Sequence, residues 1–274
     1  MTSRVSPGSA RSLLLTLLGE YVLPTDRPIW TTALLYGLAG VGVAEKAARQ
    51  AIARAAAAGW IESEPNGRRT AWRISKTGRH LIADGSRRLR SLRRDAVPWS
   101  GDWILLHLTL PASRREDRTR IYKALSWLGF GNPTPGVWIS PDVSRATEAR
   151  QLVEDRKLSG LTLAFASRTL EFGASLRDLV DRAWDLEAVA RHYEVLIDRF
   201  TALRPRGDDE YLFAHIHLVN ALQRLPSLDP GLPAGLLPPG WQRRLRAEKL
   251  WSLRERWRTR AHQRWGKLSA PADN

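Results

Sequence analysis

The stretch AAAAGWIESEPNGRRTAWRISKTGRHL, Ala55–Leu81, decides how the N-terminal third of the chain is read. An alanine-rich helix stops at Gly59. A short strand, Trp60–Glu64, follows, then a tight Pro65-Asn66-Gly67 turn and a second strand from Arg68 to Ile74. Asn-Gly between two strand-like runs is the strongest short-range hairpin signal, because only such residues tolerate the positive φ of a two-residue turn. A helix leading into a hairpin with two arginines at its tip predicts a winged helix-turn-helix, a pattern that points to DNA.

Upstream, Leu13, Leu14, Leu17, Leu18 and Tyr21 recur at helical spacing over Ser12–Leu23. Pro24 and Pro28 bracket a turn. A second helix is expected over Ile29–Leu38, and Gly37, Gly40 and Gly42 supply the turn into a third, Ala44 to Ala58. The inward stripe of that third helix is Ala47, Ala48, Ala51, Ile52, Ala55 and Ala58. Its opposite face carries Lys46, Arg49 and Gln50 at the N-terminal end, with Arg54 about one turn further on. Recognition helices meet base edges with their N-terminal residues. A bidentate Arg reads guanine and a Gln reads adenine. Arg68 and Arg69, at the tip of the hairpin, suit the minor groove, where the potential is most negative. The plainer reading of the same residues is a solvated cationic face, and it fits Arg54 better than Arg49 or Gln50. Trp60 and Trp72 read as packing between hairpin and helix rather than as base-stacking platforms.

Charge supports a polyanionic partner. Residues 1–98 hold 16 Lys and Arg against 7 Asp and Glu, so this third of the 274-residue chain carries +9 of the net +15. An arginine-rich proteome would give a similar bias, since only 6 of the 43 cations are Lys. With no cysteine, disulfides, thiolate nucleophiles and zinc-cysteine sites are excluded. The apolar run Leu13–Leu18 is too short for a signal peptide or a membrane span, and a soluble cytoplasmic protein is expected.

A basic connector, Ser86–Gly101, breaks at Pro98 and sets the first boundary. Trp103–Leu110 (WILLHLTL) is strand-like, Ser113–Leu128 an amphipathic helix, Pro135–Ser140 a strand, Arg145–Lys157 a helix and Leu161–Ala166 a strand. This alternation predicts a ferredoxin-like α+β domain over residues 99–172. From Ser175 onward the pattern is helical, interrupted by the proline-rich Leu225–Pro239. The expected organisation is α+β multidomain: a winged helix-turn-helix with its connector (1–98), a ferredoxin-like centre (99–172) and a helical C-terminal domain (173–274).

Catalytic signatures are missing: there is no GxSxG, Walker loop, HExxH or dinucleotide fingerprint. His215 and His217, two apart, point in different directions on a helix and make a poor metal pair. Asp102 before the first central strand has no second acidic ligand near it and reads as a solvated strand-start residue. No catalytic residue, metal or bound cofactor is expected. A metal-dependent nuclease built on the central domain is the alternative from another class, and it needs an acidic cluster that the sequence does not offer. A constitutive DNA binder without effector is a third reading.

Several stretches resemble a known family: LLLTLLGEYVLP (Leu13–Pro24), AAAAGWIES (Ala55–Ser63), ALSWLGFGNPTPGVWISP (Ala124–Pro141), LVDRAWDLEAVARHYEVLIDRF (Leu179–Phe200) and LPSLDPGLPAGLLPPGW (Leu225–Trp241). They are similar, in order and along the whole chain, to the PaaX-like family, the phenylacetic-acid-degradation repressors. The resemblance implies an N-terminal winged helix-turn-helix, a central domain like that of small CRISPR-associated ferredoxin-like nucleases, and a helical C-terminal domain. It implies a homodimer that binds operator DNA and represses a catabolic operon. It also implies release by a small effector, an aryl-CoA thioester such as phenylacetyl-CoA, held between the central and C-terminal domains. Lys46, Arg49, Gln50 and Arg54 would then meet the major groove, and Arg68 and Arg69 the adjacent phosphates or minor groove.

Overall fold

The computed structural model of the protein describes residues 8–66, 69–91, 99–170 and 172–270. Cα packing divides them into two compact units. The first gathers the chain up to Arg90 with Tyr193–Arg224 and the segment from Leu245; the second holds Ser91–His192 with Leu225–Arg244. The C-terminal sequence segment, 173–274, is therefore shared between the two.

In the first unit, the Ser9 hydroxyl caps α1 (Ala10–Leu17) by accepting the Ser12 amide. The helix runs on into a five-residue π turn, Leu18–Val22. A two-residue strand β1 (Ile29–Trp30) leads directly into α2 (Thr31–Gly40), and α3 (Glu45–Ala57) follows. The hairpin is β2 (Ile61–Asn66) with β3 (Arg69–Ile74), antiparallel, Asn66 opposite Arg69. β1 pairs with the other side of β3, giving the order β1-β3-β2. α4 (Lys76–Ser91) continues from β3.

Local details depart from the sequence reading, each for a tertiary reason. Ile29 and Trp30 are strand, not the first turn of α2, because Trp72 and Ala71 offer them ladder partners. Pro65 and Asn66 belong to β2 rather than to a turn; β2 is an edge strand, where a residue without an amide proton is tolerated. Of the glycines expected to turn the chain, Gly42 does so at φ 85°, whereas Gly37 and Gly40 lie inside α2. Ala58, expected inside, is exposed because α3 has already ended.

The second unit is built on β4 (Asp102–Leu108), α5 (Arg115–Trp127), β5 (Gly131–Thr134), β6 (Val137–Ser140), α6 (Ala146–Asp155) and β7 (Thr162–Arg168). The sheet is antiparallel with order β5-β6-β4-β7. Ile104, Leu106 and Leu108 face Ile121 and Leu125 of α5 and Ala149 and Val153 of α6. On the other face, Trp103 and Ile139 pack with Val180 of α7 (Leu176–Ala183) and Leu186 of α8 (Leu186–Ala202). Where the strand is covered on both faces, over Trp103–Leu106, it reads as a continuous apolar run, which is why WILL does not alternate. β5 escapes the sequence reading because Gly131 and Pro133 are poor strand formers; it is an edge strand with an irregular register. Gly131 is required there, since a Cβ would lie 2.4 Å from the Trp184 indole.

Two further helices, α9 (Asp208–Leu222) and α10 (Arg243–Ser269), complete the chain. Leu212 and Ile216 of α9 and Ala261 and Trp265 of α10 enter the same core as Leu13, Leu17, Leu34, Leu38 and Ile52. A Cβ on Gly37 would stand 2.9 Å from the Trp265 ring, and one on Gly40 2.0 Å from Phe213. Those two glycines exist to let α2 approach α9 and α10. Among the described residues no helix is long and apolar enough to cross a membrane.

Candidate nucleic-acid interface

Burial of Ala48, Ala51, Ile52 and Ala55 fixes the rotation of α3 about its axis. The opposite face is left to solvent, and Lys46, Arg49, Gln50 and Arg54 are all exposed on it. Arg49 carries a feature the sequence reading passed over: its Nε lies 2.8 Å from Glu45 Oε1, one helical turn back. Both side chains are more than half exposed. Such surface pairs contribute only about 0–1 kcal/mol, so the guanidinium exchanges readily to a stronger anion.

Arg69 is exposed at the end of β3, opposite Asn66. Arg68 lies outside the described residues. The hairpin is braced against the helices by polar contacts. The Trp72 indole donates to Thr31 Oγ1 at 2.9 Å, and the Thr31 hydroxyl donates to the Thr70 carbonyl at 3.0 Å. Arg79 pairs with Asp26, and the Arg11 guanidinium lies 4.5 Å above the Trp60 ring. Trp60 and Trp72 are partly buried against the core of the unit, as expected.

Sequence reasoning missed a polar stripe on α1. Ser12, Thr16 and Glu20 follow each other at four-residue intervals and face α9 and α10. Ser12 Oγ donates to Asn220 Oδ1 at 2.6 Å, and Thr16 Oγ1 to Gln223 Oε1 at 2.8 Å. Glu20 accepts from Arg254 at 2.7 Å and from His262 Nε2 at 3.1 Å. Burial alone would raise the Glu20 pKa; the His262 bond and the Arg254 charge outweigh it and hold the carboxyl at about 2. The neighbouring Tyr21 hydroxyl meets His215 Nδ1 at 2.6 Å. Burial pushes His215 down to about 3, so it is neutral at pH 7, with its Nε2 3.9 Å from Glu20 Oε1. The signal was legible in principle: three polar residues at i, i+4 and i+8 inside an otherwise apolar helix need buried partners.

His217, two residues on, has its pKa lowered by burial and by Arg199. Asp102 accepts from Arg168 Nε and Ser100 Oγ, both at 2.8 Å. Among the described residues, no group of three or more His, Asp or Glu is arranged to hold a metal ion.

An exposed cationic helix face and a braced hairpin define a unit suited to binding an extended anion rather than to turning over a substrate. Comparison with known proteins agrees in class. Family models match the chain in order: "PaaX-like protein" over residues 9–78, "PaaX protein central Cas2-like domain" over 96–179 and "PaaX-like protein C-terminal domain" over 184–267. The class is that of transcriptional regulators, not enzymes. The chain belongs to the PaaX-like family. It is 28% identical over 246 residues to the "Transcriptional repressor PaaX" of Escherichia coli (strain K12), covering 86% of this chain and 76% of that protein. In fold it is similar to the "Uncharacterized protein Rv0674 from Mycobacterium tuberculosis", with a TM-score of 0.60 and 21% identity over 97% of this chain and 100% of the other.

Proposed function

We propose that the protein is a dimeric, ligand-responsive transcriptional repressor that binds operator DNA through a winged helix-turn-helix. In this reading α1 to α3 and the β2–β3 hairpin form the DNA-binding head, and the second unit is the ferredoxin-like centre. α3 enters the major groove. Arg49 and Gln50 read base edges, Lys46 and Arg54 meet phosphates or bases beside them, and the hairpin brings Arg68 and Arg69 to neighbouring phosphates or the minor groove. The observation that carries the reading is the rotation of α3. Its alanine face is buried, so the cationic N-terminal face is left exposed, with Arg49 held only by the weak pair to Glu45 within the same helix among the described residues.

A dimer is favoured by β7. It is an edge strand, and Leu163 and Phe165, on one face of it, are 58% and 51% exposed, with Leu170 and Phe172 exposed just beyond. An uncovered apolar edge strand is a liability for a monomer and a natural seam between copies. Two heads related by a twofold axis require an inverted-repeat operator with half-sites on one DNA face. The effector is an aryl-CoA thioester such as phenylacetyl-CoA, and the regulated genes are catabolic, as the family relationship implies. Such a repressor works in the cytoplasm and needs no cofactor or metal.

Fluorescence anisotropy with the operator and with random DNA tests the reading. Arg49→Ala should cost about 1–3 kcal/mol on the operator and much less on random DNA. Arg69→Ala should weaken both and reduce the salt slope by about one phosphate contact. Equal losses for Arg49→Ala on both DNAs would demote Arg49 to a phosphate contact.

A further inference from the structure

Asp26, three residues before β1, stands in the left-handed region at φ 52°, one of two non-glycine residues with a positive φ among the described residues. A side chain on Cβ makes that conformation costly, and it persists only where surrounding contacts hold it. Both halves of Asp26 are held. Its carboxylate pairs with Arg79 of α4, and its carbonyl accepts from Arg73 Nη1 of β3 at 3.3 Å. Arg73 in turn donates its Nε to Glu64 Oε1 of β2 at 2.5 Å. Four alternating charges, Glu64, Arg73, Asp26 and Arg79, thus link both strands of the hairpin to α4. The Arg79 bond, helped by the charge of Arg73, holds the Asp26 carboxyl below the usual carboxylate range, so it is ionised at pH 7.

Stability does not account for this chain of charges. Each of the four side chains is at least a third exposed, and pairs so placed contribute little. What they fix is direction. The Arg73 guanidinium is a rigid plane, and its Nε and Nη1 are committed to two different elements, which sets its angle.

The need for such a fix lies on one face of the hairpin. Trp72 and Ile74 of β3 pack into the core of the unit, and the Trp72 indole is tied to Thr31. Arg69, Ala71 and Arg73 alternate with them and lie on the opposite face. There the hairpin borders a cleft of about 770 Å³ that separates Trp30, Glu64 and Ala71 from the end of α10. Close packing does not hold it on that side. A ribbon tied on one face alone can rock about that contact; a second tie on the other face stops it. Arg69 lies four residues from Arg73 along the same strand, roughly 13 Å away, so rocking at Arg73 displaces the tip.

We propose that Asp26 is a positioning residue for DNA binding: it locks the hairpin to α4 and so presents Arg69 in one direction. The consequence for DNA rests on the role of the hairpin proposed above; the lock itself does not.

The test uses the full-length protein. Asp26→Asn removes the charge and keeps a residue that tolerates the left-handed backbone. Arg79→Gln breaks the same pair from its other end. Melting temperatures should be unchanged. In hydrogen-exchange mass spectrometry without DNA, peptides spanning residues 61–74 should exchange at least threefold faster in both variants, with α3 unaffected. By charge alone the two variants should act oppositely on DNA, because one removes a negative charge and the other a positive one. The lock requires the same sign: each should weaken operator binding at least threefold and lower the salt slope by about one phosphate contact. Neither change should add to Arg69→Ala, through which the lock acts.

Unchanged exchange in the hairpin would overturn the lock. Opposite effects of the two variants on DNA affinity, or losses that add to that of Arg69→Ala, would overturn the positioning role. If Arg69→Ala itself binds DNA like the wild-type protein, the proposed role of the hairpin at DNA falls, and faster exchange in both variants leaves the lock standing.

Discussion

Glu20 and Arg254, 234 residues apart in the sequence, meet at 2.7 Å inside the first unit, where their side chains are only 10% and 18% exposed. The pair ties the π turn that follows α1 to the middle of α10. Removing one partner of such a pair leaves a buried charge unanswered, and this costs more than the pair itself contributes.

Glu20→Ala should therefore lower the stability of the first unit, toward the lower end of the roughly 3–5 kcal/mol that an orphaned charge costs, because Glu255 Oε1 still answers Arg254 at 2.6 Å. The Glu20→Leu/Arg254→Leu double variant should recover most of the loss, because it buries no orphan charge. Urea titrations followed by tryptophan fluorescence decide this; a loss below about 1 kcal/mol in the single variant would show the pair to be solvated.

Acid should destabilise the first unit in two overlapping steps. His215 is held down from 6.5 to about 3 by burial, so its contribution is complete above pH 6.5 and is lost as the pH falls toward 3. Glu20 is lowered from 4.5 to about 2 against its burial, so its contribution is complete above pH 4.5 and is lost toward pH 2. Between pH 6.5 and 4.5 His215 sets the slope together with His217, whose pKa burial also lowers, each by up to about 1.4 kcal/mol per pH unit. His215→Gln should be less stable at pH 7 but flatter across that window in thermal melts. A wild-type melting temperature independent of pH from 7 to 4.5 would refute the assignment.

On the proposed function, Glu45 competes with DNA for Arg49. Glu45→Gln frees the guanidinium and removes a negative charge from the proposed interface, so operator affinity should rise by about two- to fivefold, the equivalent of roughly 0.4–1 kcal/mol. The gain should vanish in an Arg49→Ala background. An additive effect in the double variant would mean that Glu45 acts on DNA directly and not through Arg49.

Gly40→Ala offers a test of the contact between α2 and α9. Helix propensity favours alanine by about 1 kcal/mol, but the new methyl would fall 2.0 Å from the Phe213 ring. Overpacking should win, with a net loss of about 1–3 kcal/mol. Phe213→Leu in the same chain should relieve part of it, measurable as a rise in melting temperature over the single variant.

Replacing both Leu163 and Phe165 by Asp should leave the second unit folded, since both side chains are already exposed, and convert the proposed dimer into a monomer. Light scattering coupled to size exclusion reads this directly. A dimer that survives the double change would place the interface elsewhere.

Much of the first unit was legible because its signals are local. Asn66 and Gly67 marked the hairpin, Gly59 takes the positive φ of 68° that ends α3, and the alanine periodicity of α3 put Lys46, Arg49, Gln50 and Arg54 outside. The strand β5 was not legible, because its residues form a strand only against β6 and beneath Trp184. Nor was β1, whose two residues are strand solely through their pairing with β3.

The sequence by itself determined the long helices, the hairpin and the central strand β4, and the cationic face of α3, all of which depend on neighbours within a few residues. Its matches along the whole chain also placed it in a family. Only the tertiary structure decided that α9 and α10, at the far end of the chain, complete the core begun by α1. It alone matched Ser12, Thr16 and Glu20 with Asn220, Gln223 and Arg254. It alone left a cleft beside the outer face of the hairpin. Local pattern shows that a polar or small residue breaks an apolar helix face; which distant side chain answers it depends on how remote segments pack, and periodicity carries no information about that.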